Sequence, residues 1–146
     1  MIKVEDMMTR NPHTLLRSHQ LADAKHTMEA LDIRHIPIVD AHKQLLGVVS
    51  QRDVLAAQES SLQNIPENQS FTLNIPLYEV MKTGLMTVSP QAGLKESALY
   101  MQKHKVGCLP VVEKGQLVGI ITDTDFVAIA INLLELQDEM EPEEVD

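Results

Sequence analysis

Two stretches of this chain place a hydroxyl and a carboxylate three residues apart, where an apolar strand gives way to a helix. They are Gly47-Val48-Val49-Ser50-Gln51-Arg52-Asp53 and Gly119-Ile120-Ile121-Thr122-Asp123-Thr124-Asp125. Two chemistries fit that spacing. A Ser or Thr before a helix, with an acid three residues on, forms a capping box that satisfies backbone N–H groups left open by the helix. The same place offers free N–H groups and positive potential to a phosphate. An ionised Asp accepts hydrogen bonds and donates none, so it can hold both hydroxyls of a ribose cis-diol.

The motif occurs twice because the chain is duplicated. An offset of 73 carries Met8 onto Met81 and Ile36-Pro37-Ile38-Val39-Asp40 onto Leu109-Pro110-Val111-Val112-Glu113. An offset of 72, after one deletion in a turn, carries Gly47 onto Gly119 and Asp53 onto Asp125. Copies of roughly 55 residues bury too little surface to stand alone, so the two are expected to share a core. Duplication also creates two related clefts, and ligand chemistry is expected there.

The elements that position the motifs follow from the pattern. Each copy reads β-α-β-β-α, an α/β (α+β) fold with pseudo-two-fold symmetry. In the first copy a short strand starts at Thr14-Leu15, and Leu21, Ala24, Met28 and Leu31 mark a helix. Strands follow at Ile36–Val39 and Leu45–Val49, then a helix over Gln51–Gln58. The second copy repeats this with Thr87-Val88, a helix through Leu94, Ala98 and Met101, strands at Leu109–Val112 and Leu117–Ile121, and a helix from Phe126 toward Met140. Pro37 and Pro110 imply that their strands begin or border an edge there. The expected division is 1–58, a Ser/Asn/Gln/Pro-rich linker 59–76 in which Phe71 and Leu73 dock locally, 77–134, and an acidic tail 135–146. The last helix is apolar on two sides, which requires burial on two sides. Ile131, Leu134 and Leu136 have no counterpart in the first copy to cover them, so a homodimer through 126–136 is expected.

Bulk properties exclude several classes. Net charge is −9, but residues 135–146 hold seven acids, and the remaining chain carries only −2. A nearly neutral body disfavours nucleic-acid binding. No apolar run approaches a bilayer-spanning length and the start lacks a signal-peptide pattern, so no membrane association and a cytoplasmic location are expected. One cysteine, Cys108, excludes an intrachain disulfide and suits a reducing compartment. The six histidines show no zinc spacing, so no metal site is expected. There is no Gly-x-x-x-x-Gly-Lys loop and no nucleophile–base–orienter set, which argues against catalysis. Cys108 reads as a small core residue rather than a nucleophile.

The paired repeats, the apolar-Pro-apolar-Val-Asp/Glu strand and the following Gly-x-x-Ser/Thr-x-x-Asp resemble a stand-alone tandem CBS-domain pair, the module named for cystathionine β-synthase. The resemblance spans roughly residues 4 to 132. It implies a non-catalytic sensor that binds an adenine nucleotide (AMP, ADP or ATP) or S-adenosylmethionine as a regulatory ligand between repeats, with no catalytic cofactor. It implies that Asp53 and Asp125 hold ribose hydroxyls and that Ser50 and Thr122 lie near ribose or phosphate. It places Thr14, Ile36-Pro37, Thr87 and Leu109-Pro110 near the base. Arg34-His35 and Arg52 suit phosphates in the first copy, whereas Gly107-Cys108, Asp123 and Thr124 stand at the matching places of the second. The first site is therefore expected to take the charged ligand. The alternatives are a structural dimerisation module with degenerate sites, or a small nucleotide-using enzyme. An unidentified effector protein is a further expected partner.

Overall fold

The computed structural model describes residues 1–62 and 73–140. Phe71 and the last residues of the acidic tail, 141–146, lie outside the described residues. The first copy contains β2 (Leu15–Leu16), α2 (Leu21–Leu31), β3 (His35–Val39), β4 (Leu45–Ser50) and α3 (Gln51–Leu62). The second contains α5 (Leu94–His104), β5 (Cys108–Glu113), β6 (Gln116–Thr122) and α6 (Asp123–Met140). Ahead of each copy stands one helical turn, α1 (Val4–Met7) or α4 (Leu77–Val80), and β1 (Thr9–Arg10) follows α1.

One sheet has the order β2-β3-β4 and the other β1-β6-β5. The first pairs β2 parallel and β4 antiparallel to β3, and β5 pairs antiparallel to β6. Register shifts fall at equivalent places, Ile38/Val39 and Val111/Val112. Of the helices that follow, α3 starts at Gln51 as the sequence implies but runs on to Leu62, and α6 opens at Asp123 rather than Phe126. In α6 the capping-box acid Asp125 sits inside the first turn, so the apolar pattern alone places that start too late.

The lead-in segments cross over. Thr9 and Arg10 of β1 pair with Ile120 and Gly119 of β6, in the other copy. Lys82 bridges Val48 of β4 in the same way. Val4 is buried in the cluster of Leu94, Met101, Leu109, Val111 and Ile121. Leu77 is buried with Leu21, Ala24, Met28, Ile36, Ile38, Val49 and Val54. Each core is thus completed by a residue that precedes the opposite copy. Burying Val4 and Leu77 stabilises the docking by about 1.5–3 kcal/mol each, an upper estimate. Leu73 of the linker is half-buried.

The crossing explains the duplicated glycines and prolines. A Cβ on Gly47 would lie 2.6 Å from the Lys82 carbonyl oxygen and 2.9 Å from the Met81 sulfur. On Gly119 it would lie 2.5 Å from the Met8 sulfur and 3.0 Å from the Thr9 carbonyl oxygen. Met8/Met81 and Gly47/Gly119 therefore recur together because each methionine lies on the other copy's glycine. Pro37 pairs with Val48, whose N–H and C=O both turn to Lys82, at 3.0 and 2.9 Å. The proline's missing N–H faces the other side, where β2 bridges only from Ile38 onward. A proline fits a middle strand here because no ladder bond is lost at that position.

Gly47→Ala is expected to destabilise the protein by about 1–3 kcal/mol through overpacking, read as a lower urea midpoint. Gly119→Ala should cost less, because its nearest neighbour is the end of a flexible Met8 side chain rather than a backbone carbonyl. Midpoints equal to wild type for both would mean that the lead-in segments are not docked as described.

Candidate ligand-binding cleft

The exchange brings the end of one copy's β4 against the start of the other copy. Between them lies a cleft of about 680 Å³. One wall is Val48, Ser50, Gln51, Arg52 and Asp53, with Arg34 and His35 beside it. The other is Lys82, Gly84, Leu85 and Met86, with Tyr100 and Lys105 to Leu109, and Asp123 between. Gly84 permits this turn with φ +66, and its counterpart Asn11 has φ 47. The Gln51 N–H donates to the Arg34 carbonyl at 2.8 Å, fixing the arginine's backbone beside the helix start.

The capping box is real in both copies. The Ser50 N–H donates to Asp53 Oδ2 at 2.9 Å, and the Asp53 N–H donates to Ser50 Oγ at 3.1 Å. In the second copy the Thr122 N–H donates to Asp125 Oδ2 at 2.8 Å, and the Asp125 N–H to Thr122 Oγ1 at 3.3 Å. Capping uses one carboxylate oxygen. It leaves Asp53 Oδ1 for the cleft, where Lys82 Nζ stands 3.6 Å away. The capping contact and the contact across the cleft are therefore held by different oxygens of the same side chain.

His35 lies across from Ser50 in the β3–β4 register, with Nε2 only 2.9 Å from where a Gly107 Cβ would be. Gly107 is thus required to admit the His35 ring. Burial lowers the His35 pKa from 6.5, outweighing the upward pull of Asp123 and Asp53, while Arg34 adds to the lowering. The ring is neutral at pH 7. Burial, reinforced by Asp123 and Asp53, pushes the Cys108 thiol up to about 12. A thiol held protonated is no nucleophile at neutral pH.

Of the sequence-expected site residues, the cleft gathers Arg34, His35, Ser50, Arg52, Asp53, Cys108 and Leu109. Ile36, Pro37 and Pro110 are buried and lie outside this cleft. Thr122, Thr124 and Asp125 also lie outside it, at the start of α6. Thr14 is exposed and Thr87 half-buried, one residue beyond Met86 on the cleft wall. Sequence reasoning missed Lys82, Tyr100 and Lys105. For Lys82 a signal existed: Thr9 stands at its counterpart, immediately after the duplicated methionine. Among the described residues no helix is long and apolar enough to cross a membrane.

The family model for the CBS domain matches residues 4–60 and 77–132. The chain is similar to AcuB of Vibrio cholerae, a protein assigned by name to acetoin utilization. Identity to that crystal structure is 72%, with 97% of this chain and 99% of that one covered at a TM-score of 0.82. It is also similar to CBSX2, crystallised with AMP, at 28% identity, 92% and 99% coverage and a TM-score of 0.77. A homoserine O-acetyltransferase of Methanococcus vannielii is 31% identical over 82% of this chain, which spans only 23% of that enzyme.

The thiol chemistry is testable. At pH 8 the Cys108 thiolate should be roughly one part in 10⁴, against about a quarter for an ordinary thiol. Alkylation by iodoacetamide should therefore run at least about 100-fold slower than for free cysteine, and still rise tenfold per pH unit at pH 10. A rate that levels off near pH 9 would contradict the assignment.

Proposed function

This chain belongs to the CBS-domain family, and from that premise we propose that it is a non-catalytic regulatory module that binds an adenine nucleotide in the Asp53 cleft. The observation that carries the reading is Asp53 Oδ1, which the capping box leaves facing the cleft between Arg52 and Lys82. The ribose diol takes that oxygen, and Arg34 and Arg52 meet the phosphates. Val48, Leu109 and Met86 supply apolar surface for the base. A volume near 680 Å³ suits a nucleotide-sized ligand. The relative crystallised with AMP supports the ligand class. The Cys108 thiol, held protonated, supplies no activated nucleophile to the cleft, which supports a binding role over an enzymatic one.

The proposed setting is acetoin utilization, the process in the name of the Vibrio cholerae relative; for this chain we further propose a cytoplasmic location and the nucleotide as the input. A ligand signals only if its affinity differs between two arrangements of the protein. We assign the responding surface to a homodimer through α6. No residue of α6 is buried, and Val127, Ile131, Leu133, Leu134 and Leu136 are each more than half exposed, as is Leu55 of α3. Such a stripe on a water-facing helix fits a second copy of itself about a two-fold axis.

Two measurements test this reading. Asp53→Ala should weaken AMP binding about 10- to 150-fold by calorimetry, while losing about 1 kcal/mol of stability or less from the capping box. Asp125→Ala should lose similar stability with little change in AMP affinity. Equal affinity losses in the two variants would remove the assignment to the Asp53 cleft. Ile131→Glu combined with Leu134→Glu should yield a monomer by light scattering, because the carboxylates would be buried without partners. A wild-type protein that is monomeric at micromolar concentration would reject the dimer.

A further inference from the structure

We propose that Lys82 sets the ligand class of the cleft, selecting phosphorylated adenosine ligands over uncharged or cationic ones. The proposal rests on reading the cleft as a nucleotide site. The Lys82 backbone is pinned to Val48 by two hydrogen bonds, at 2.9 and 3.0 Å, so the residue cannot leave the cleft wall. Its side chain is free to move. It is 65% exposed and reaches the 12%-exposed Asp53 carboxylate at 3.6 Å, longer than a hydrogen bond. An exposed pair of that length contributes little. It parks an ammonium on the oxygen that a ribose diol needs.

Binding therefore exchanges partners. When the diol takes Asp53 Oδ1, the ammonium loses its carboxylate while remaining in the cleft. It has three donors and no acceptor, and Arg34, Arg52 and Lys105 already line the same space. A 5′-phosphate restores an anionic partner for it. Adenosine brings no such partner, and a sulfonium adds a further positive charge.

The chain carries its own comparison. Lys82 pairs with Val48 as Thr9 pairs with Ile120, so the two residues are structurally equivalent. By the repeat offsets, Arg34, Arg52 and Lys105 correspond to Gly107, Thr124 and Asp32. Lys82, Arg52 and Lys105 of the Asp53 cleft thus have no cation at their counterparts, whereas Arg34 and its counterpart Gly107 both line this cleft. The Asp53 cleft is the more cationic of the two.

The experiment is titration calorimetry of AMP and adenosine against the wild type, Lys82→Thr and Lys82→Arg in one buffer. Lys82→Thr copies the residue found in the other repeat. It should weaken AMP about tenfold or more, the worth of one charge-assisted contact, and leave adenosine within about threefold or bind it more tightly. Lys82→Arg should keep the preference for AMP. Equal weakening of AMP and adenosine in Lys82→Thr, or unchanged AMP affinity, would overturn the proposal while leaving the nucleotide reading intact. A wild type that binds neither ligand would overturn that reading, and this proposal with it.

Discussion

Val48 turns both backbone polar groups away from β3 and onto Lys82, and Thr9 makes the equivalent bridge to Ile120 in the other copy. A β-strand edge left open next to a core would expose unpaired N–H and C=O groups. Here each edge is closed by the segment leading into the other copy. That single pairing scheme fixes the glycines, the methionines and the prolines together. Gly47 and Gly119 give backbone access, Met81 and Met8 cover them, and Pro37 sits where its strand has no ladder bond to lose.

The cleft is a consequence of the same crossing. Closing the edge of β4 with residues just ahead of the second copy brings Lys82 to Met86 opposite Ser50 to Asp53. Neither repeat could form this space alone. The capping box holds Asp53 rigid through one oxygen, which pre-organises the other without a separate supporting residue. Burial keeps His35 neutral and Cys108 protonated, so the charges in the cleft are those of Arg34, Arg52, Lys82, Lys105, Asp53 and Asp123. That balance is net positive and suits an anion.

Much of this was legible in the residues. The duplication gave the two copies and their element order, and the Ser/Thr-x-x-Asp spacing gave both capping boxes. The apolar periodicity of 126–136 marked a helix with an uncovered side, and Ile131 and Leu134 are indeed exposed. Two things were not legible. Local pattern carries no information about which copy a lead-in segment packs on, because Val4 and Leu77 read as apolar in either arrangement. Comparing the copies also draws attention to what they share, and Lys82 lies where they differ. Gly107 shows the opposite hazard. As a sequence position it reads as a lost phosphate contact, whereas its structural role is to make room for the His35 ring.

The most direct test of the central claim, that the crossing of the two copies builds one nucleotide cleft around Asp53, is a crystal structure of the protein grown with saturating AMP. Electron density is expected for a nucleotide between Ser50–Asp53 and Lys82–Leu109, with the ribose on Asp53 Oδ1 and the phosphate among Lys82, Arg34 and Arg52. Density seated instead at Asp125, with the Asp53 cleft empty, would contradict it.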